Sequence, residues 1–355
     1  MRVQRSSIRS GLMWRAAAIV LLAAVASITA GFGARADEGG RPVAIQFAFD
    51  HPLDASLAPF VLAASHGLFN AEGVAVTTTT AKGTADAIAR VASGASDLAI
   101  ADINELIRFR DEPGKPQVKA VFVLFNRAPY AIIARKSRGI RGISDMDGKT
   151  LGVAEGDLSI RMWPALVRQN NLKAQAVKIS RIGAAVREPI LSAGQVDAVS
   201  GFSYLSAVNL RDRGVPANDL AVLKFSDYGC EAYGLAVIAN PAFAAARPDA
   251  VKGFLRALIG GIHLTIKDPA AAAAEVVSRM DDGTRELEVE RLKTVLADNV
   301  LTPEVRRNGI GGIDPLRMER AIDQIGEDRK FHKRPSAADI FDDAFLPPVD
   351  RRLIN

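Results

Sequence analysis

The sequence has little of the chemistry that catalytic and metal sites most often use. A single cysteine, Cys230, excludes a disulfide within the chain. The four histidines, His51, His66, His263 and His332, form no HExxH pair and no cluster with cysteine, which argues against a zinc site of those types. A GxSxG elbow and a Walker loop are also missing. We therefore predict no metal, no cofactor and no enzymatic activity.

Acidic residues are missing from the first 36 positions, which carry five arginines and no lysine. The whole chain has 45 basic and 40 acidic residues, so without those five arginines the two totals are equal at 40. The excess charge of +5 therefore belongs to the amino-terminal segment. A pI near 9.4 is then no indication of nucleic-acid binding, and we expect no nucleic-acid partner.

Only one apolar run approaches the length of a membrane span, from Ala16 to Phe32. Arginines precede this run, and Ala34-Arg35-Ala36 follows it as a small-x-small cleavage site. The pattern predicts a signal peptide over 1–36 and export to a bacterial periplasm. A transmembrane anchor is the alternative, because the run is nearly long enough to cross a bilayer.

Short apolar strands alternate with helical patterns along the rest of the chain, which is typical of an α/β fold with helices over a mostly parallel sheet. This alternation of strands and helices occurs twice along the chain. After Asn240-Pro241 the sequence pattern is mostly helical. We expect a first lobe formed by 41–128 and 229–355, with a second lobe, 129–228, inserted into it. The predicted strands of the first set are 43–49, 74–79 and 97–101, and those of the second include 130–134, 174–180 and 196–200.

Six segments in order resemble one family. They are "APFVLAASHGLFNAEGVAV" (58–76), "GTADAIARVASGASDLAIAD" (83–102), "GISDMDGKTLGVAEG" (142–156), "AGQVDAVSGF" (193–202), the 233–277 segment beginning "YGLAVIANPAF", and "PSAADIFDDAFLPP" (335–348). The chain resembles periplasmic substrate-binding proteins of ABC importers in the group for nitrate, sulfonates, taurine and thiamine-pyrimidine precursors. The resemblance implies a type II periplasmic binding protein fold, with two lobes joined by a two-strand hinge. It also implies a monomer whose partners are a small ligand, an ABC permease and an ATPase.

Candidate ligand-binding residues follow the strands, because ligands of open α/β sheets lie beyond the carboxyl ends of strands. Each has a structural alternative: His51 as an exposed loop residue, Gly83-Thr84 as a loop and cap, and Asp102 as a helix cap. The acidic residues after the second-lobe strand could likewise complement a helix dipole. Tyr228 and Glu231 are candidates because the resemblance puts a hinge crossing there. The full set is Asp50, His51, Ser56, Gly83, Thr84, Asp102, Glu155, Asp157, Ser159, Phe202, Tyr228 and Glu231.

The predicted function is capture of a small solute by hinge closure and its delivery to a permease. Acidic residues outnumber basic ones in the candidate loops, so a sulfonate or nitrate would be repelled unless several carboxylates point away. The sequence therefore favours a neutral or amine-bearing heteroaromatic such as a thiamine-type pyrimidine. An alkylsulfonate, taurine or nitrate ligand is the alternative, and an extracytoplasmic sensor or exported hydrolase is the alternative class.

Overall fold

Strands and helices alternate in a computed structural model that describes residues 41–354. The predicted signal peptide and its cleavage site lie outside these residues. The described strands form two five-stranded sheets. They are β1 (Val43–Phe49), β2 (Val74–Thr80), β3 (Leu98–Asp102), β4 (Lys119–Val123), β5 (Tyr130–Arg135), β6 (Thr150–Ala154), β7 (Lys178–Ile182), β8 (Ala198–Phe202), β9 (Leu220–Lys224) and β10 (Leu235–Ala239).

The sheet orders are β2-β1-β3-β10-β4 and β7-β6-β8-β5-β9. In the first sheet β1 is parallel to β2 and β3, whereas β10 is antiparallel to β3 and β4. In the second sheet β6 is parallel to β7 and β8, and β5 is antiparallel to β8 and β9. The two mixed sheets flanked by helices confirm the predicted two-lobed α/β fold. The exact lobe boundaries stay a prediction.

Helices cover the sheets, and the chain after β10 is mostly helical, as the sequence predicts. The described helices are α1 (Ala58–Ser65), α2 (Leu68–Ala71), α3 (Thr84–Ser93), α4 (Ile103–Asp111), α5 (Trp163–Gln169), α6 (Arg187–Ala193), α7 (Ser203–Asp212), α8 (Pro241–Ala246), α9 (Pro248–Lys267), α10 (Pro269–Val277), α11 (Arg285–Val295), α12 (Pro303–Asn308), α13 (Pro315–Asp328) and α14 (Ala337–Ile340). None of these helices is long and apolar enough to cross a membrane.

Two chain crossings connect the sheets, one between β4 and β5 and the other between β9 and β10. The crossings are hydrogen-bonded to each other, since Gly234 N donates to Phe125 O at 2.8 Å and Ala128 N donates to Ala232 O at 3.1 Å. Paired backbone crossings allow the lobes to rotate while the sheets stay intact, which is the geometry of a hinge.

A phenylalanine cluster fills the first lobe between its sheet and its helices. Phe47 stacks on Phe254 of α9 with ring centroids 5.2 Å apart, and Phe254 stacks on Phe69 at 5.0 Å. The alternation of Ile45 and Phe47 in β1 points both buried side chains to this face. The packing holds the carboxyl end of β1, and the loop that follows it, against the rest of the lobe.

Candidate functional site

A cavity of about 690 Å³ lies between the two sheets and is lined from both lobes. The loops after β1, β2, β3 and β6 and the start of α7 reach it because strands that run parallel carry their following loops to the same edge of a sheet. Its lining includes eight of the predicted residues: Asp50, His51, Gly83, Thr84, Asp102, Glu155, Asp157 and Phe202. A ninth, Ser56, lies directly behind the wall, in side-chain contact with His51.

Asp50 and His51 form the centre of a hydrogen-bonded group on the first lobe. His51 Nδ1 donates to Asp50 Oδ1 at 2.5 Å, and Thr84 Oγ1 donates to Asp50 Oδ2 at 2.5 Å. Burial disfavours the charged imidazole, but the attraction of Asp50 and Asp54 outweighs it and holds the pKa of His51 well above its ordinary value. The two carboxylates therefore favour the charged form of His51 and anchor its ring.

Ser56 lies behind the cavity wall and connects His51 to Asp54. Its hydroxyl donates to Asp54 Oδ1 at 2.5 Å and accepts from His51 Nε2 at 3.2 Å. Asp54 also accepts from Ser56 N at 2.8 Å, as the cap of a short 3-10 turn. These bonds commit Ser56 and Asp54 to the structure of the loop.

Gly83 and Thr84 bring α3 to the cavity. Gly83 has φ = 99°, in the region that favours glycine, and it precedes the first turn of α3. Thr84 Oγ1 receives the backbone N–H of Asp102 at 3.3 Å while it donates to Asp50. The two residues therefore join the loop after β2 to the ends of β1 and β3.

Asp102 caps α4 and is held by three donors. Its Oδ1 accepts from Asn104 N at 2.9 Å and from Asn104 Nδ2 at 2.8 Å, and its Oδ2 accepts from Tyr130 Oη at 2.5 Å. Burial raises the pKa of Asp102 to about 6, against the lowering effect of these bonds. Asp102 therefore caps this helix, which is the structural role that the sequence offers as the alternative to ligand binding.

In the second lobe, Asp157 is the buried acid of the loop after β6. It accepts from Ser159 N at 2.9 Å, from Ser159 Oγ at 2.7 Å and from Ser200 Oγ at 2.6 Å. Ser159 is fully buried beneath Asp157 and does not line the cavity. Glu155 is exposed at the rim.

Aromatic rings form one wall of the cavity. Phe202 stacks on Tyr204 with ring centroids 6.1 Å apart, and Tyr204 meets Phe125 edge-on at 6.2 Å. Phe202 also stacks on Tyr130 at 6.0 Å. A flat apolar ligand would find complementary surface here.

Tyr228 and Glu231 lie away from this cavity. Tyr228 belongs to the short turn after β9, and its carbonyl accepts from Asn170 Nδ2 at 2.9 Å. Glu231 faces Arg317 and Arg320 beside a smaller cavity of about 240 Å³ behind the hinge. The hinge crossing itself puts them there, because the chain turns away from the cleft as it re-enters the first lobe.

Several lining residues escaped the sequence analysis, above all Arg187, Tyr204 and Arg291. They lie within helices or their first turns, where the sequence pattern gives no indication that the opposite lobe is near. Arg187 is the first residue of α6 and Tyr204 the second of α7. The sequence offers one signal for Arg187 and Tyr204: each lies at the start of a helix that follows a strand.

Ion pairs connect the lobes around the cavity. Lys224 Nζ lies 2.9 Å from Asp298 Oδ1, and Arg168 Nη2 lies 2.5 Å from Glu327 Oε1. Arg161 of the second lobe pairs with Glu105 of the first, directly at the cavity wall. The two lobes are therefore in contact on more than one side of the cleft.

A family model described as "NMT1/THI5 like" matches residues 54–272, more than half of the chain. The chain belongs to the NMT1/THI5-like family. The match begins in the loop after β1 and ends in α10, so it includes both hinge crossings and most of the cavity wall.

Relatives of this NMT1/THI5-like chain carry names of two kinds. It is 25% identical over 247 residues to the 4-amino-5-hydroxymethyl-2-methylpyrimidine phosphate synthase of Schizosaccharomyces pombe, covering 67% of this chain and 70% of that one. It is 27% identical over 232 residues to the riboflavin-binding protein RibY of Chloroflexus aurantiacus, covering 64% of each. The chain thus spans about two thirds of the length of these relatives.

Among solved structures, the periplasmic aliphatic sulphonate binding protein SsuA of Escherichia coli is similar in fold. The TM-score is 0.65 at 17% identity, over 88% of this chain and 92% of that one. The resemblance to binding proteins of this type is thereby confirmed at the level of the fold and the family.

The prediction of no enzymatic activity, which was drawn from missing motifs, is wrong. Curated relatives from Schizosaccharomyces pombe and other organisms are named as a pyrimidine phosphate synthase, so the family contains enzymes as well as binding proteins. Motifs of zinc hydrolases and serine hydrolases are therefore the wrong criterion for this family. Within residues 41–354 no group of three or more His, Cys, Asp or Glu side chains could hold a metal ion.

Proposed function

We propose that the chain is a solute-binding protein that captures a small heteroaromatic molecule in the cavity between its lobes and delivers it to an ABC permease. The observation that carries this proposal is the cavity of about 690 Å³ whose wall is formed by both lobes on either side of a paired hinge. A ligand there touches both lobes at once.

Such a ligand would bind by stabilising the closed arrangement. It has more contacts when the lobes are together than when they are apart, and that difference in affinity shifts the population towards closure. The permease would then recognise the closed surface. Export to the periplasm, a monomeric state and an ATPase partner belong to the same proposal and are supported by the arginine-bearing amino-terminal segment and the fold.

The aromatic wall supports a heteroaromatic ligand. Phe202 is the partly exposed ring on which a flat nitrogenous ring can stack, and the buried rings of Tyr204 and Phe125 support it from behind. The names of the relatives concern two such ring systems, a pyrimidine and a flavin. We therefore favour a pyrimidine or a larger fused heteroaromatic over an aliphatic solute.

Calorimetric titration of the purified protein with a panel tests the proposal. The panel contains 4-amino-5-hydroxymethyl-2-methylpyrimidine, riboflavin, taurine and an alkanesulfonate. Micromolar binding of either ring compound, with loss of at least tenfold in affinity when Phe202 is replaced by alanine, supports it. Binding of the aliphatic compounds alone would overturn the heteroaromatic ligand, and binding of none would count against the solute-binding role.

Pyrimidine phosphate synthesis is the second candidate, favoured by the name of the relative from Schizosaccharomyces pombe. Prolonged incubation of the protein with bound ligand, followed by mass spectrometry of the ligand and of the polypeptide, separates the two candidates. Recovery of intact ligand and unmodified chain supports binding and delivery. A new small molecule or a changed polypeptide mass supports the synthase.

A further inference from the structure

We propose that the ligand carries an anionic oxygen group, such as a phosphate, carboxylate or sulfonate, and that the guanidinium of Arg187 binds it. This inference rests on the proposed function and specifies the chemistry of the same cavity. It reverses the expectation drawn from composition, that the acidic residues around the cleft would repel an anion.

The buried carboxylates of the cavity are already engaged by protein donors. Asp50 is held by His51 and Thr84, and Asp102 by Tyr130 and Asn104. A carboxylate that accepts several hydrogen bonds has its charge compensated locally and offers few free acceptor sites.

The remaining acidic groups of the wall are occupied or remote. Asp157 accepts from two serines, and Glu105 pairs with Arg161 across the cleft. Only Glu155 among the acidic wall residues has no side-chain partner within residues 41–354, and it is exposed at the rim, where water screens its charge.

Arg187 is the largely buried cation of the wall with hydrogen-bonding capacity left over, whereas Lys82 in the same wall is exposed to solvent. Its side chain is only 18% exposed, and its nearest carboxylate oxygen, Asp157 Oδ2, is 4.0 Å from Nη2. Within the described residues its Nε is buried without a hydrogen-bond partner. A desolvated guanidinium with donors unsatisfied is costly, and an oxyanion with fork-like geometry is its best partner.

Arg291, the other largely buried arginine of the wall, also has a buried Nε without a partner within the described residues, but both of its terminal nitrogens are engaged. It pairs with Glu288 and donates from Nη2 to Asn209 Oδ1 at 2.6 Å. Its guanidinium therefore closes a contact between α11 and α7 within the protein. The comparison singles out Arg187 as the group that a ligand would complete.

Gly201 provides the room for Arg187 beside β8. A Cβ built at Gly201 would lie 3.1 Å from Arg187 Nη1 and 2.9 Å from Ser206 Oγ. Ser206 Oγ and Ser203 Oγ are buried without hydrogen-bond partners in the described part of the chain. The Arg187 guanidinium and the Ser206 hydroxyl thus flank Gly201, next to Phe202 of the aromatic wall.

The adjacency of Gly201 and Phe202 suggests how one molecule would use both features. A ring stacked on Phe202 would have its anionic substituent near Arg187, because both residues line the same cavity. The ligand class that fits is a heteroaromatic ring with an oxyanion on a short linker.

The test uses two pairs of probes that differ by one phosphate. They are 4-amino-5-hydroxymethyl-2-methylpyrimidine with its phosphate, and riboflavin with riboflavin 5′-phosphate, each titrated by calorimetry. We expect the phosphorylated member of at least one pair to bind about tenfold or more tightly. In Arg187→Gln that preference should fall below about threefold, with the affinity for the neutral member little changed, and Arg187→Lys should restore part of it.

Two further variants separate ligand binding from a structural role. Arg181→Gln, on the exposed face of β7, is the matched control and should keep the preference. Gly201→Ala keeps the charge but pushes the guanidinium aside, so the preference should shrink as in Arg187→Gln. Urea unfolding of each variant checks that the fold persists.

The outcomes distinguish the inference from the proposed function. Tighter binding of the neutral members, or a phosphate preference that survives Arg187→Gln, would overturn the role of Arg187 and leave the heteroaromatic binding protein standing. An equal loss for neutral and phosphorylated probes would mean that Arg187 serves only as the counter-ion of Asp157, which also overturns it. Failure of every probe to bind would count against the proposed function itself.

Discussion

Asp102 has a carboxyl group that folding moves out of water. It is 3% exposed, and burial raises its pKa to about 6 although Tyr130 and Asn104 donate to it. The folded protein therefore holds this proton more tightly than the unfolded chain, whose ordinary value is 3.8. Stability must then fall as the pH rises from about 4 to about 6, because the folded state binds more protons in that range.

Asp102→Asn should remove this dependence. Between pH 4 and pH 7 the free energy of unfolding of the wild type should fall by about 2 kcal/mol relative to that of the variant. Urea denaturation across that range measures it. Asp219→Asn is the opposite control: hydrogen bonds from Ser137 and Arg135 lower the pKa of Asp219 to about 2, so its stabilising effect is lost as the pH falls. If the free energies of unfolding of wild type and Asp102→Asn differ by the same amount at every pH, the role of Asp102 is contradicted.

His51 should show the same sign as Asp102, at higher pH. Asp50 and Asp54 hold its pKa well above the ordinary 6.5 despite burial, so its charge stabilises the fold fully below that value. The contribution is lost as the pH rises through the higher folded pKa.

His51→Gln should therefore destabilise the protein at pH 6, and the gap to wild type should narrow in alkaline solution. Thermal or urea unfolding over pH 6–10 is the measurement, and His66→Gln, at an exposed position after α1, is the control. A gap that widens with rising pH would show that the imidazole is neutral in the fold.

At the scale of elements, α9 and α1 pack closely enough to require glycine. A Cβ at Gly261 of α9 would lie 2.0 Å from the carbonyl oxygen of Pro59, a backbone atom that cannot move aside cheaply. At neighbouring Gly260 a Cβ would instead meet Leu68 Cδ1 at 2.8 Å, the end of a flexible side chain.

Gly261→Ala should lower the free energy of unfolding by about 3 kcal/mol, since the helices must separate or shift. Gly260→Ala should stay within about 1 kcal/mol of wild type, because alanine's helix propensity offsets the small rearrangement. Urea denaturation of both variants compares them directly. Equal effects at the two positions would contradict the close approach of α9 to Pro59.

At the scale of the whole molecule, closure depends on contacts between the lobes as well as on the ligand. Glu105 of the first lobe pairs with Arg161 of the second at the cavity wall. Part of the affinity for any ligand is therefore set by how much of the free protein is already closed.

Glu105→Gln should weaken binding of neutral and anionic probes alike, by about three- to tenfold, because the closed form loses an ion pair worth about 1 kcal/mol. Small-angle scattering of the free variant should show a larger radius of gyration than wild type. Glu112→Gln, whose partner Lys115 lies on the same lobe, is the control. Unchanged affinity in Glu105→Gln would mean that this pair does not contribute to closure.

The sequence predicted the two-lobed α/β fold because strand and helix patterns are local and repeat clearly. It also brought Asp50, Gly83 and Asp102 to one cavity, since residues after parallel strands meet at one sheet edge. It did not show that Tyr228 and Glu231 lie away from this cavity, because their direction depends on the path of the hinge. Arg187 was missed because its approach to the cavity depends on the missing side chain of Gly201, far from it in sequence.

By itself the sequence determined that the excess positive charge lies in the first 36 residues and that the rest of the chain folds as alternating strands and helices. Only the tertiary structure decided the electrostatic character of the cavity. Composition counts carboxylates, whereas recognition depends on which of them already accept hydrogen bonds. Asp50, Asp102 and Asp157 are satisfied by partners from separate parts of the chain, and Arg187 is not, a distinction that arises only when those parts are brought together.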